Sequence, residues 1–311
     1  MKSYITKEKK RELENLYSLN SSLGFPKLYI VGGAVRNYFL NLGKESIVDI
    51  DITNNDGFKS GFLGLCYAYK NNLKIKYITS ARKNNRVKVL NTDFDFSSGW
   101  VSKHSKFDTK IEREVGSRDF TVNSILYDYQ NENFVDVTGR GIKDCLGKKL
   151  STILKPKFTF SDDPTRIFRG LYFASKYNLE IDSEIMDFLL KEKDFVKEQI
   201  KQNRNFVINK VAESLKENEE KTMAFLINAD IYKDVPLVGE YKNILIKNKL
   251  ISDYYDNSQE DFAIDPIAGL SGNSSPRIFY GVTNQELPHY GDNSIMDDNN
   301  YNNISTMPHL S

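Results

Sequence analysis

The sequence predicts an α+β protein in which an N-terminal head built on a mixed sheet is followed by an all-α part. Three observations carry that expectation. Short strand-like segments crowd residues 27–97 with few helical crossovers between them, unlike the repeated βαβ units of a doubly wound fold. Beyond the turn Thr138-Gly139-Arg140-Gly141 the pattern changes, and apolar residues recur at helical spacing. A chain of 311 residues also suits two compact units better than one.

The elements follow in order. Residues 7–20 place Leu13, Leu16, Tyr17 and Leu19 at helical spacing, with Thr6 as N-cap. Lys27–Val31 reads as a short buried strand, broken by Gly32-Gly33 and followed by a helix over Ala34–Leu42. Ile47–Thr53 alternates apolar and acidic residues, so Asp49 and Asp51 are expected on one face of a single strand. A helix near 57–71 and strands near 73–79, 86–90 and 92–97 complete a mixed sheet, and the chain changes character after Phe134–Val137 and the turn that follows it. Helices are expected at about 163–178, 183–195, 203–217, 220–229 and 237–250. From Ser252 the chain is rich in Asn, Asp, Ser, Tyr and Gly and reads as a loosely held tail. The expected division is therefore 1–150 for the head, 151–251 for the helical part and 252–311 for the tail.

Lys and Arg total 43 against 42 Asp and Glu, so the net charge of +1 gives no global attraction to nucleic acid, and any such surface must be local. Cys66 and Cys145 match no zinc-ligand spacing, and three histidines leave a Cys/His centre without ligands. The charged N-terminus and the lack of a long apolar run point to a soluble, cytoplasmic protein without membrane contact.

Two carboxylates one residue apart on a strand can share a divalent cation, and a third on a neighbouring strand would allow a two-metal phosphoryl transfer. Asp95 is the candidate for that third position, with Asp93 on the same strand face as the alternative. Alone, an alternating D-x-D marks no more than the solvated face of an edge strand. Gly32-Gly33 adds weight, because a glycine turn opening a helix lets backbone N–H groups approach phosphate oxygens, and Arg36 follows one turn later.

The stretch LYIVGGAVRNYFL…VDIDIT resembles the first motif, G-G-x-V-R-D followed by D-x-D, of the bacterial-type tRNA nucleotidyltransferase and poly(A) polymerase family, within the DNA polymerase β-like nucleotidyltransferase superfamily. Three further segments resemble its later motifs in the right order: Ser117-Arg118-Asp119-Phe120-Thr121-Val122-Asn123, Asp136–Asp144, and Asp162-Asp163-Pro164-Thr165-Arg166-Ile167-Phe168-Arg169. The resemblance implies that Asp49 and Asp51 bind catalytic Mg²⁺ and that Gly32, Gly33 and Arg36 bind the triphosphate. It further implies that Arg118, Asp119 and Asn123 surround the ribose and phosphates, and that Asp163 and Arg166 read the base edge. Arg169 follows on the same face, since residues three apart on a helix are neighbours. An Asp accepts and an Arg donates, which matches a mixed base edge.

Departures from the pattern are Asn37 for Asp, Ser117 for Arg, Asp162 for Glu and Tyr172 for a further Arg. The implied activity is template-independent addition to an RNA 3′ end, foremost CCA addition to tRNA from CTP and ATP. Poly(A) or A-only addition is the alternative within the same chemistry, and a catalytically inactive nucleotide- or RNA-binding protein is the alternative of another class. Basic and aromatic residues such as Arg204, Lys210, Tyr232 and Tyr241 suit either RNA tracking or an ordinary helix surface.

Overall fold

The computed structural model describes residues 1–56, 58–81, 84–98 and 109–235. The described residues all fall in one unit, Met1–Tyr255, and Asp256–Ser311 lies wholly outside them. The expected helix at 237–250 and the tail from Ser252 also fall outside them.

Helix α1 (Lys7–Ser22) begins at Thr6, whose side chain accepts from the amide of Lys9 as an N-cap should. Its apolar stripe, Leu13, Leu16 and Tyr17, is buried. Strand β1 (Tyr29–Val31) leads through Gly32 into α2 (Gly33–Phe39), and β2 (Ile50–Thr53) returns beside it. Helix α3 (Lys59–Lys70) and strands β3 (Ile75–Ala81), β4 (Asn84–Val89) and β5 (Phe94–Phe96) follow. After α4 (Lys110–Gly116), strands β6 (Leu126–Asp128) and β7 (Asn133–Val135) close a seven-stranded sheet of order β3-β4-β5-β2-β1-β6-β7. Only the β2–β5 pair is parallel among its pairings, so the sheet is mixed.

The sheet's two faces differ. Ile30, Ile50, Ile52, Val87, Val89, Phe94 and Phe96 fill the main core together with residues of α1, α2 and α3. On the other side Val31, Val115 and Leu126 form a smaller cluster under α4. Period two therefore sends Asp51 and Asp95 away from the main core.

Helix α5 (Gly141–Leu146) and β8 (Lys149–Leu150) lead out of the head. The motif Asp136–Asp144 is a structural corner: Asp136 accepts from Thr138 Oγ1 at 2.9 Å and from the amide of Ile142 at 2.9 Å. Helices α6 (Pro156–Asp162), α7 (Arg166–Tyr177), α8 (Ser183–Lys191), α9 (Lys193–Gln202), α10 (Arg204–Glu217) and α11 (Glu219–Asn228) follow, with β9 (Glu180–Ile181) pairing β8. The α+β head and the helical part agree with the sequence reading. The expected helix over 163–178 instead starts at Arg166, because Pro164 drives Asp163 into an extended conformation, φ −154°, between α6 and α7.

Candidate active site

Asp51 pairs in register with Val31 on one side and with Asp95 on the other, so two carboxylates stand side by side on β2 and β5. Asp49 lies one residue before the strand and its side chain is 71% exposed, a looser position than an alternating seven-residue strand would give it. The neighbouring strand β1 ends at Val31, opposite Asp51, so it offers Asp49 no partner, and Lys9 Nζ takes the carbonyls of Ile47 and Val48 at 3.0 and 2.9 Å. Lys9 also pairs with Asp93 at 2.7 Å, so Asp93 is turned to α1 while Asp95 aligns with Asp51.

Gly32 approaches the acidic pair closely. Its φ of +75° belongs to a region that side chains avoid, and a Cβ there would overlap Oδ2 of Asp51. Gly33 is different, since a Cβ would meet only Arg36 Nη2 at 3.5 Å. Burial raises the Asp51 carboxyl above its ordinary value; Arg118 opposes the shift, and Asp95 and Asp49 reinforce it. Behind it, Arg118 is held by Glu114, whose Oε1 accepts from Nε at 3.1 Å and from Nη2 at 2.6 Å. The other oxygen of Glu114, a fully buried side chain, accepts from Ser98 and Thr53. Burial works against the Arg118 charge, yet Glu114 and Asp51 raise its pKa overall.

Beside this group runs a polar chain to α7. Asn123 accepts from Arg36 Nη1 at 2.7 Å and donates to Asp119 at 3.0 Å, and Asp119 pairs with Arg169 at 2.7 Å. Burial alone would raise the Asp119 carboxyl, but Arg169 and Arg166 hold it below the usual range. Arg36 is only 5% exposed. Its guanidinium donates to Asn37, Asn123 and Tyr177 and lies 4.3 Å from the Tyr177 ring centroid, an arrangement that ties the head to α7.

Arg166 donates from Nη2 to the Ser117 carbonyl at 2.7 Å. Its buried Nε has no hydrogen-bond partner among the described residues, and Asp163 Oδ2 lies 3.8 Å away. Asp163 Oδ1 is occupied by the amide and hydroxyl of Thr165. Near Tyr172, positive charge returns from other positions: Lys176 donates to its hydroxyl at 2.8 Å, and Lys210 stands 4.8 Å from its ring centroid. Sequence reasoning misses Glu114, Arg86, Lys88 and Lys9. The alternation Arg86-Val87-Lys88-Val89 is a signal for two of them.

The donor set fits a divalent cation of the magnesium kind. Hard carboxylate oxygens face a cradle that only glycine leaves open, and burial makes an unneutralised Asp51 costly. Among the described residues no three His, Cys, Asp or Glu stand together as a ligand cluster.

Residues 28–151 match the Poly A polymerase head domain. The tRNA nucleotidyltransferase cca2 of Schizosaccharomyces pombe is 27% identical over 200 residues, covering 57% of this chain and 41% of that protein. The mitochondrial CCA tRNA nucleotidyltransferase of Saccharomyces cerevisiae is 30% identical over 182 residues, covering 51% of this chain and 33% of that protein. The chain thus spans well under two thirds of these relatives. In fold it is similar to the Bacillus stearothermophilus CCA-adding enzyme solved with CTP, with a TM-score of 0.58 at 18% identity over 76% of this chain and 56% of that one. The mixed sheet, with its acidic pair and glycine turn, lies within the stretch that matches the Poly A polymerase head domain. Beyond that match, the chain is similar to CCA-adding enzymes and tRNA nucleotidyltransferases over about half of its length.

Proposed function

We propose that the chain transfers nucleotides from CTP and ATP to the 3′ end of an RNA, foremost tRNA, without a template and with Mg²⁺. The observation that carries this reading is the in-register pair Asp51 and Asp95 set against Gly32 and flanked by Asp49. In this reading 1–150 is the catalytic head, 151–251 recognises nucleotide and RNA, and the tail has no assigned chemistry. The free thiols Cys66 and Cys145 suit a reducing, cytoplasmic compartment.

Asp49 and Asp51 would hold the metal, with Asp95 as third carboxylate; when bound, Mg²⁺ supplies acidification of the attacking 3′-hydroxyl and charge neutralisation of the triphosphate. The chain's own groups do the rest. Gly32 and Gly33 let backbone come close to the phosphates, and Arg118, fixed by Glu114, sets a positive charge behind Asp51. Arg36 positions Asn123, and Asn123 and Arg169 hold Asp119 beside the ribose and phosphate region. Asp163 and Arg166 would read the base. Leaving the buried Nε of Arg166 unpaired costs about 1–3 kcal/mol, which a base acceptor would offset.

The deciding assay incubates the protein and Mg²⁺ with tRNA ending before the first C, tRNA ending after the second C, and an unrelated RNA, each NTP supplied separately. Ordered C, C, A incorporation confined to tRNA supports the proposal, and long A tails on any RNA would replace it with polyadenylation. No incorporation, with NTP binding intact, would sink the enzyme reading. Asp49→Ala and Asp51→Ala should abolish incorporation with the fold preserved. Arg166→Ala should change the preference between CTP and ATP, whereas an equal loss for both would argue against base reading.

A further inference from the structure

Two cations occupy the acidic site in the described structure. Arg86 grips Asp95 with both arms of its fork, Nε to Oδ1 at 2.9 Å and Nη2 to Oδ2 at 2.6 Å. Lys88 donates to Asp49 Oδ1 at 3.0 Å. Register makes this systematic: Lys88 stands opposite Asp95, and Asp95 opposite Asp51, so the basic residues of β4 share a face with the carboxylates. Their neighbours Val87 and Val89 fill the core on the reverse side, which fixes which way Arg86 and Lys88 point.

We propose that Arg86 and Lys88 are exchangeable counter-ions, holding Asp95 and Asp49 in the nucleotide-free protein and turning to the triphosphate when a divalent cation takes those carboxylates. The inference rests on the reading of this site given above. Its physical ground is competition for the same oxygens. Both oxygens of Asp95 and one of Asp49 are engaged by cations that a metal must displace. A displaced guanidinium fork needs a planar or tetrahedral oxyanion, and phosphate matches it as well as carboxylate does. Exposure permits the swing, since the Arg86 side chain is 50% exposed while Asp95 is 6% exposed. Arg118 is not an alternative exchange partner, because fully buried Glu114 holds it in place.

The exchange has a signature of opposite signs. Removing a competitor tightens metal binding, and removing a phosphate ligand weakens triphosphate binding. The test uses the full chain without RNA, titrating Mn²⁺ alone, and then inorganic tripolyphosphate in the presence of saturating Mg²⁺, by calorimetry. Arg86→Met should tighten Mn²⁺ and weaken tripolyphosphate, each by about tenfold. Lys88→Met should show the same signs with smaller amplitude, and it serves as the second variant should Arg86→Met fold poorly. Unchanged or weaker Mn²⁺ binding overturns the exchange, showing a static ion pair. Tighter Mn²⁺ binding with unchanged tripolyphosphate affinity overturns the triphosphate half. Because both readouts are binding equilibria, a wild-type protein that fails to incorporate nucleotides yet shows the two shifts would sink the activity reading and keep the exchange.

Discussion

Replacing Gly32 by Ala tests the site where backbone and chemistry meet. Gly32 has φ +75° and ψ −134°, a conformation nearly restricted to glycine, and a side chain there costs about 1–3 kcal/mol in backbone strain. The new Cβ would also come well inside 3.0 Å of Asp51 Oδ2, closer than real Cβ atoms approach, with Asp51 Cγ at 3.4 Å and Arg118 Nη1 at 3.5 Å. The carboxylate must therefore retreat by about 1 Å to restore ordinary contact. It has little room, because β2 is paired on both sides and Arg118 stands near the same point. Misplacing a reacting group by about 1 Å costs on the order of 10²-fold in rate, so a loss of roughly tenfold to a hundredfold in kcat is expected. Urea unfolding and single-nucleotide incorporation measure the two effects separately. Gly33→Ala is the internal control: its Cβ meets only Arg36 Nη2 at 3.5 Å, an ordinary van der Waals contact, and the residue begins a helix, so its stability should stay within about 0.5 kcal/mol of wild type. A Gly32→Ala protein with wild-type stability and wild-type kcat would refute the close-approach argument.

Glu114→Gln removes the carboxylate that neutralises buried Arg118, and breaking such a pair costs about 3–5 kcal/mol, read as a lower urea midpoint at constant m. A loss under about 1 kcal/mol would show that Arg118 finds equal compensation at Asp51. Asp119 sets an acid limb: its carboxyl is held below 3.8 by Arg169 and Arg166 against burial, so its contribution is full above pH 3.8 and is lost as pH falls through the lower folded value. Asp119→Asn should therefore lower stability at neutral pH and flatten the loss below 3.8, and stability–pH curves that stay parallel to wild type would contradict this.

What the sequence made legible is what short-range periodicity controls. Alternation alone puts Asp49 and Asp51 on one face of their strand and Asp93 and Asp95 on one face of theirs, and only the register between β2 and β5 sets Asp51 and Asp95 side by side. Asp49 shows the limit, because the strand was expected to begin at Ile47, whereas β1 ends opposite Asp51 and the Val48 carbonyl is taken by Lys9, 39 positions earlier in the chain. The same limit governs Arg36. One turn into a helix after two glycines, it reads as a triphosphate grip, yet it is buried against Tyr177, 141 residues away, with Asn37 and Asn123 taking its donors. No local pattern reports whether an arginine's acceptors come from a ligand or from a distant helix. Glu114 and Arg118, four residues apart on and just beyond one helix, look like an ordinary surface pair until burial and the hydroxyls of Ser98 and Thr53 show otherwise.

The positive charge around the acidic site thus divides by mobility. Arg118 and Arg36 are locked by Glu114 and by the Asn123–Tyr177 network, so they shape the site's field without reorganising. Arg86 is half exposed, and Lys88, itself mostly buried, holds an exposed partner in Asp49, so under the proposed exchange Arg86 is the cation freest to trade oxygens. Under the proposed function, a site that admits a doubly charged ion and a triphosphate together would need both kinds: fixed charge to orient the phosphates, and exchangeable charge to keep the carboxylates from repelling one another.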